Sequence, residues 1–375
     1  MRQKRFKAPK NHSVAYYHCV SRVVNRDFIF GEAEKAQFYQ FMRLYEQLYG
    51  LRIASYCLMS NHFHLLVEVP KRPEDSLLPD DESLISHVEN CQGEKAGTAL
   101  RWELELYRAQ GNDKAAEALR ENWFGRMWDI SQFMKILKQR FTQWFNKRHN
   151  RRGTLWEDRF KSVLVEGKGP ALKAMAAYID LNPVRAGICD DPKDYRWSSY
   201  GEAVSGGKKA KLAREAIVWL DSFVASGSGD GTARERSAVR GQECPFSFDE
   251  SMRRWRCFLF GIPESELRQE EELTREKAGG EAQIFRSRIA RKKALEVLKE
   301  GGRLEKSDYL RCRVRYFVDG AALGSKSFIE EVFQESKELF HPDRKTGARS
   351  LRGLKTVPKP ERLYNLRQLV KDALK

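Results

Sequence analysis

The sequence predicts an α+β protein in which one sheet packs against helices, and three observations predict it. Runs rich in β-branched and aromatic residues recur at 13–24 (SVAYYHCVSRVV), 51–59 (LRIASYCLM) and 62–70 (HFHLLVEVP), the composition of strands. Between and after them, apolar residues recur at helical spacing. The two periodicities also alternate within one block of chain instead of segregating into separate halves.

In order, the first run reads as a strand. Residues 32–49 place Phe38, Phe41, Leu44, Tyr45 and Leu48 on one side of a helix, and Gly50 supplies its stop. The next two runs flank the turn-prone Ser60-Asn61 and read as a hairpin. Residues 82–121 read as polar helices. Ser131 is expected to cap a long amphipathic helix through about Lys147, with Phe133, Ile136, Leu137, Phe141, Trp144 and Phe145 on its apolar side. FKSVLVE at 160–166 reads as a strand, GKGP breaks the chain, and a helix follows from about Ala171 until Pro183 ends it.

Beyond Tyr200 the signals thin out. SGGKKAK (205–211) and SGSGDGTARER (226–236) read as linkers or mobile loops within 201–240. The remainder, 241–375, reads as a basic, mainly helical extension. Inside it, 309–318 is expected as a strand with Arg311, Arg313 and Arg315 on one face, and a helix capped by a serine follows, a small helix-turn-helix-like module; the arginines are DNA-contact candidates, a charged outward strand face being the plain alternative.

The 375 residues carry 68 Lys+Arg against 52 Asp+Glu, a formal charge of +16, compatible with a polyanionic partner. The excess is uneven. Residues 1–10 hold five bases and no acid, 126–161 ten bases against three acids, and 71–128 eight bases against twelve acids. The last stretch therefore reads as an acidic helical insertion into a domain spanning 1–200. Seven scattered cysteines with no CxxC spacing argue against a disulfide framework or a cysteine zinc site. With no apolar run of membrane-spanning length and a basic, non-apolar start, the expectation is a cytoplasmic, nucleoid-associated protein with no membrane partner.

Two constellations carry chemistry. His62 and His64 are two apart on a predicted strand, so their imidazoles share a face and make half of a divalent-metal site; a structural pair is the plain alternative. Tyr178 and Asn182 are four apart on a predicted helix and share a face. Asn182 precedes Pro183, which takes it out of regular helix and frees its amide; simple packing and capping is the alternative there. His18, in the first strand, reads as a core or surface histidine, with contact to the site as the alternative.

Taken in order, HFHLL (62–66), LWEDRFKSVLVE (155–166), YIDLNPVRAG (178–187) and DPKDYRWSSY (191–200) resemble the single-tyrosine HUH transposases. The likeness is strongest to the REP-associated tyrosine transposases, with kin among transposases of the insertion-sequence-200 type. It covers about residues 10–200, interrupted by the acidic segment. The resemblance implies a ferredoxin-like antiparallel sheet with helices on its faces, the HUH nuclease fold. It implies His62, His64 and Asn182 as ligands of a divalent metal, Mg or Mn, and Tyr178 as the nucleophile. The chain departs from the pattern at Asp180, where many relatives carry histidine.

The function implied by the resemblance is that of a transposase: a metal-dependent endonuclease and strand transferase for single-stranded or hairpin DNA, working through a 5′-phosphotyrosine. A phenol keeps its proton at neutral pH, so Tyr178 must lose it near the metal or to water. Lys147, Arg148, Arg151, Arg152, Arg159 and Lys161 are the candidate DNA contacts, a solvated surface being the alternative for each. A domesticated DNA-binding protein or repressor of the same fold is the second reading, and a small-molecule metallohydrolase the third. Relatives act as monomers or dimers, which leaves a homodimer open.

Overall fold

The computed structural model describes residues 5–225, 247–260, 315–318, 320–351 and 362–367. Its core follows the predicted order: β1 (Val14–Arg22), α1 (Glu32–Leu48), β2 (Arg52–Leu58), β3 (His62–Pro70), then α2 (Asp81–Gln92), α3 (Glu94–Ala109) and α4 (Asp113–Phe124), α5 (Ile130–Arg148) and β4 (Lys161–Val165). The first four strands lie in the order β2-β3-β1-β4, all antiparallel. Two interlocked strand–helix–strand units with this order make a ferredoxin-like sheet, as expected.

Period-two alternation assigns each strand residue to one of two layers. Phe63 goes to the layer of α1 and α5, where its ring lies 4.6 Å from Phe38 and 5.5 Å from Trp156. Phe141 of α5 fills the space between, 5.2 Å from Phe38 and 5.1 Å from Phe30. Phe133, Leu137, Phe141 and Phe145 of α5 are all buried. The aromatics of the basic window are thus mostly core, as their helical spacing implied. The start of α5 is capped by Asp129, whose carboxylate accepts from the amides of Ser131 and Gln132; Ser131, expected in that role, sits two residues too late for it.

The acidic segment forms α2–α4 with a small core of its own, built on Leu84, Val88, Leu100, Leu104 and Phe124. It joins the sheet domain where Trp128 donates its backbone N–H to the Tyr49 carbonyl and its indole lies against Gly50. Gly50 has φ +63, and a Cβ there would come within 2.9 Å of the Trp128 indole nitrogen, so both conformation and space call for glycine.

The opposite face is covered by α6 (Gly169–Asp180), followed by one further turn, α7 (Asn182–Arg185). α6 is buried along almost its whole length. Such a helix needs apolar neighbours on all sides, and it finds them between the sheet and a further layer made by α9 (Lys208–Ala225) and α10 (Phe248–Phe260), with α8 (Ser199–Val204) at its edge. The stretch from Lys208, read as a linker, is therefore helix: Ala210, Ala213, Ile217 and Val218 bury an apolar stripe that the flanking lysines obscure in sequence.

The carboxy-terminal region enters the sheet itself. β5 (Ala322–Gly324) pairs in parallel with β4, and β7 (Tyr364–Leu366) and β6 (Arg349–Ser350) continue antiparallel beyond it. α12 (Lys326–Glu335) is capped by Ser325, as expected, and Glu166 accepts from both the amide and the hydroxyl of Ser325. The strand expected over 309–318 is corrected: Arg315–Val318 is a helical turn, α11, and 309–314 lie outside the described residues. Alternation of arginine with apolar residues is a strand signal only where a neighbour can pair with it. Here β5 takes the place beside β4. The glycine-serine stretch 226–236 is also outside the described residues.

Candidate active site

The site lies on the face of the sheet beneath α6. Register sets Arg22 opposite His62, Val20 opposite His64 and His18 opposite Leu66. Cross-strand partners share a face, so His18, Val20 and Arg22 of β1 stand beside His62 and His64 of β3. Lys161 of β4 joins the same row, paired with Val20. Burial deepens along the row: Arg22 is exposed, His62 half-buried, His64 2% and His18 0% exposed.

The predicted pair is brought together with the predicted tyrosine. The rings of His62 and His64 are 5.0 Å apart, and Tyr178 presents its ring edge-on to His64 at 5.6 Å and to His18 at 5.8 Å. Phe317 of α11 stacks on Tyr178, at 4.7 Å and 7°. Arg185, three residues beyond Asn182, holds its guanidinium 5.4 Å from the Tyr178 ring.

Hydrogen bonds fix the state of each imidazole. Nδ1 of His18 lies 2.6 Å from the Phe317 carbonyl; a carbonyl only accepts, so this nitrogen carries the proton. Nε2 of His18 then accepts from Nδ1–H of His64 at 3.0 Å. That leaves Nε2 of His64 with a lone pair, buried and, among the described residues, without a hydrogen-bond partner. His62 donates Nδ1–H to the Asn61 side-chain oxygen at 2.6 Å, leaving its own Nε2 as a lone pair. All three are neutral in this setting. Burial lowers His18 to about 4, and burial together with nearby Arg22 lowers His62 to about 4. Burial, then the neighbouring His18 and His62, holds His64 well below the usual histidine value.

Asn182 donates its amide N–H to the Tyr178 carbonyl at 2.9 Å, closing the end of α6 as a cap and leaving Oδ1 as its acceptor. These donors suit a divalent cation: two neutral imidazoles with Nε2 lone pairs and one amide oxygen. Among the described residues no three His, Cys, Asp or Glu side chains form a metal cluster.

The candidate DNA contacts divide. Arg151, Arg152 and Arg159 sit on the loop 149–160, which runs beside the exposed end of the row: the Glu157 amide bonds the Arg22 carbonyl at 2.9 Å and the Val24 amide bonds the Leu155 carbonyl at 3.0 Å. Arg152 and Arg159 are exposed, and Arg151 is half-buried with a guanidinium nitrogen 3.4 Å from the Asn146 oxygen. Lys147 and Arg148 end α5 further off, Arg148 leaning over Trp144 and toward Glu34 at 3.7 Å. Of the basic arm, Arg5 is engaged with Ser162 and Phe160.

Sequence reasoning missed Phe317 and gave contact with the site only second place for His18. His18 was visible as a histidine in the first strand, but only the register makes it diagonal to His64. Phe317 lies in a segment with no motif.

Residues 11–76 match the family described as transposase, IS200 like; that stretch contains β1, α1 and the β2–β3 hairpin with both histidines. The resemblance read from the motifs is borne out over it. A solved structure described as the REP-associated tyrosine transposase bound to a REP hairpin aligns with 55% of this chain and 87% of that one, at 14% identity and a TM-score of 0.35. No curated protein matches the chain in sequence. Among the described residues no helix is long and apolar enough to cross a membrane.

Proposed function

We propose that the protein is a transposase of the single-tyrosine type, cutting and rejoining single-stranded or hairpin DNA through a phosphotyrosine. The observation that carries this reading is the buried lone pair of His64 Nε2, unmatched by any donor, within a ring contact of Tyr178. A buried polar atom left unpaired costs ~1–3 kcal/mol, and a cation shared with His62 and Asn182 Oδ1 removes that cost. Mg or Mn would serve, the imidazoles favouring Mn. When bound, the cation supplies Lewis-acid polarisation of the scissile phosphate.

The chain's own residues do the rest. The phenol oxygen of Tyr178 attacks phosphorus, its proton passing to water, and the 3′-oxygen of the adjoining nucleotide leaves, taking up a proton from water to become a hydroxyl. The result is a 5′-phosphotyrosine. The ester keeps the energy of the broken bond, so a second 3′-hydroxyl reverses the step and joins strands without ATP. Arg185, over the ring of Tyr178, is suited to hold the phosphate's charge.

The test is incubation of the full chain with single-stranded hairpin DNA and Mn or Mg, followed by denaturing electrophoresis. A covalent adduct lost with a chelator is expected. The second reading, a DNA-binding protein without cleavage, is favoured by one observation: Tyr178 is only 3% exposed and lies under Phe317. Binding without an adduct on any hairpin tried supports that reading and refutes ours.

Single-stranded DNA also needs surfaces on which bases stack. Phe28 is 82% exposed on the loop between β1 and α1, where Asn25 and Arg26 both take positive φ (56° and 60°). Such strain persists only where the surroundings hold it. Here the Asn61 amide bonds the Arg26 carbonyl and the Phe30 amide bonds the Ser60 carbonyl, each at 3.0 Å. The loop is thus pinned to the turn that carries His62. Phe28→Ala is expected to weaken binding of single-stranded DNA by ~1–3 kcal/mol, read by fluorescence anisotropy, and to leave the melting temperature unchanged. Arg152→Ala with Arg159→Ala is expected to weaken binding to all sequences alike and to flatten its salt dependence.

A further inference from the structure

Two of the imidazoles, those of His18 and His64, form with the Phe317 carbonyl a directional chain that the catalytic reading does not use. Phe317 O accepts from His18 Nδ1–H at 2.6 Å, and His18 Nε2 accepts from His64 Nδ1–H at 3.0 Å. The rings of His18 and His64 are stacked 5.2 Å apart and 7° from parallel. His18 is fully buried, and its partners come from two other parts of the chain, β3 and the carboxy-terminal turn α11.

We infer that His18 is a positioning residue, and that together with the backbone carbonyl of Phe317 it locks His64 in the Nδ1–H tautomer with Nε2 aimed at the cation site. The physical case is directional. A peptide carbonyl cannot donate, so the proton on His18 Nδ1 is dictated from outside the pair. A neutral His18 then has only an acceptor to offer His64. Without that acceptor an imidazole in water favours the other tautomer, Nε2–H, which has no lone pair where the cation would sit. Outer partners of this kind orient ligating histidines and tune their affinity for metal. Here the outer partner is anchored by residues beyond the stretch that resembles transposases, so the carboxy-terminal region takes part in shaping the site.

The inference rests on the metal-site reading for its effect on cation affinity, and on geometry alone for the tautomer. The two are separated by experiment. Long-range ¹H–¹⁵N spectra of the full chain without metal are expected to report the Nδ1–H tautomer for His64. His18→Gln supplies an amide oxygen to accept from His64 and an amide N–H to donate to Phe317, so the tautomer should persist. His18→Phe fills the space without either function, and His64 should move toward Nε2–H. Titration with MnCl₂ by calorimetry should give near wild-type affinity for His18→Gln and a loss of ~10–100-fold for His18→Phe. An Nε2–H tautomer for His64 in the wild type overturns the inference, as does unchanged Mn²⁺ affinity in His18→Phe. If His18→Phe does not fold, the wild-type and His18→Gln spectra still decide. A wild type that shows the Nδ1–H tautomer but binds no Mn²⁺ upholds the relay and refutes the metal-site reading instead.

Discussion

Tyr178→Phe is expected to abolish the covalent DNA adduct and strand transfer while leaving fold and DNA binding intact. The substitution removes one oxygen and keeps the ring with its aromatic contacts: Phe317 stacks on one face, and His18 and His64 lie near perpendicular to it. The aromatic contacts therefore survive, and the melting temperature should change little. What is lost is the oxygen proposed as the nucleophile. The described imidazoles do not take its place in this reading, since Nε2 of His18 accepts from His64 and the Nε2 lone pairs of His62 and His64 are the ones proposed to hold the cation. Loss of a nucleophile commonly lowers turnover on the order of 10⁴–10⁶-fold. The measurement is adduct formation with a labelled hairpin alongside anisotropy for binding. An adduct that survives the substitution refutes the assignment of Tyr178, whereas loss of binding together with cleavage would mean that the ring's packing, not its oxygen, is what the site requires.

Much of this geometry was legible in the sequence because it depends on short-range periodicity. Two histidines at period two on a strand must share a face, and Tyr178 and Asn182 at i and i+4 must share a helix side; the structure brings the histidine pair and the tyrosine together. What was not legible is what depends on register and on long-range return of the chain. His18 and His64 are 46 residues apart, and neither composition nor spacing indicates that β1 and β3 pair with those two side chains on a diagonal. Phe317 lies farther still, in a stretch whose alternation of arginine with apolar residues mimics a strand. The linker reading at 205–211 failed from Lys208 onward for a different reason: the glycines just before α9 and the lysines in its first turn outweigh, in composition, an apolar stripe that only the packing against α6 explains.

The departure at Asp180 has its explanation in that same return of the chain, and it yields the second large effect. Asp180 is fully buried. Its carboxylate meets the guanidinium of Arg214 of α9 at 2.9 Å, accepts from the Trp255 indole of α10 at 2.9 Å and takes a longer contact at 3.3 Å from the Ser55 hydroxyl of β2. Arg214 is itself buried, with its guanidinium 4.3 Å from the Trp255 ring. A neutral histidine at this position could not balance Arg214, so carboxylate, arginine and tryptophan make sense only as a set, and two of the three lie beyond Tyr200. Asp180→Ala strands a buried positive charge and an indole N–H, which is expected to cost ~3–5 kcal/mol, measured as a lower midpoint in urea unfolding. Replacing the ion pair by an apolar pair, Asp180→Leu with Arg214→Met, removes the stranded charge as well. It should recover most of that loss, because the attraction of a buried ion pair is largely offset by the desolvation of its two charges. A double variant as unstable as Asp180→Ala would show that the set is held by shape and hydrogen bonding to Trp255 and Ser55 instead of by charge balance. On helical geometry Asp180 points about 200° around α6 from Tyr178, so the set acts on the docking of α9 and α10, and the imidazole tautomers should be the same in the wild type and in the double variant.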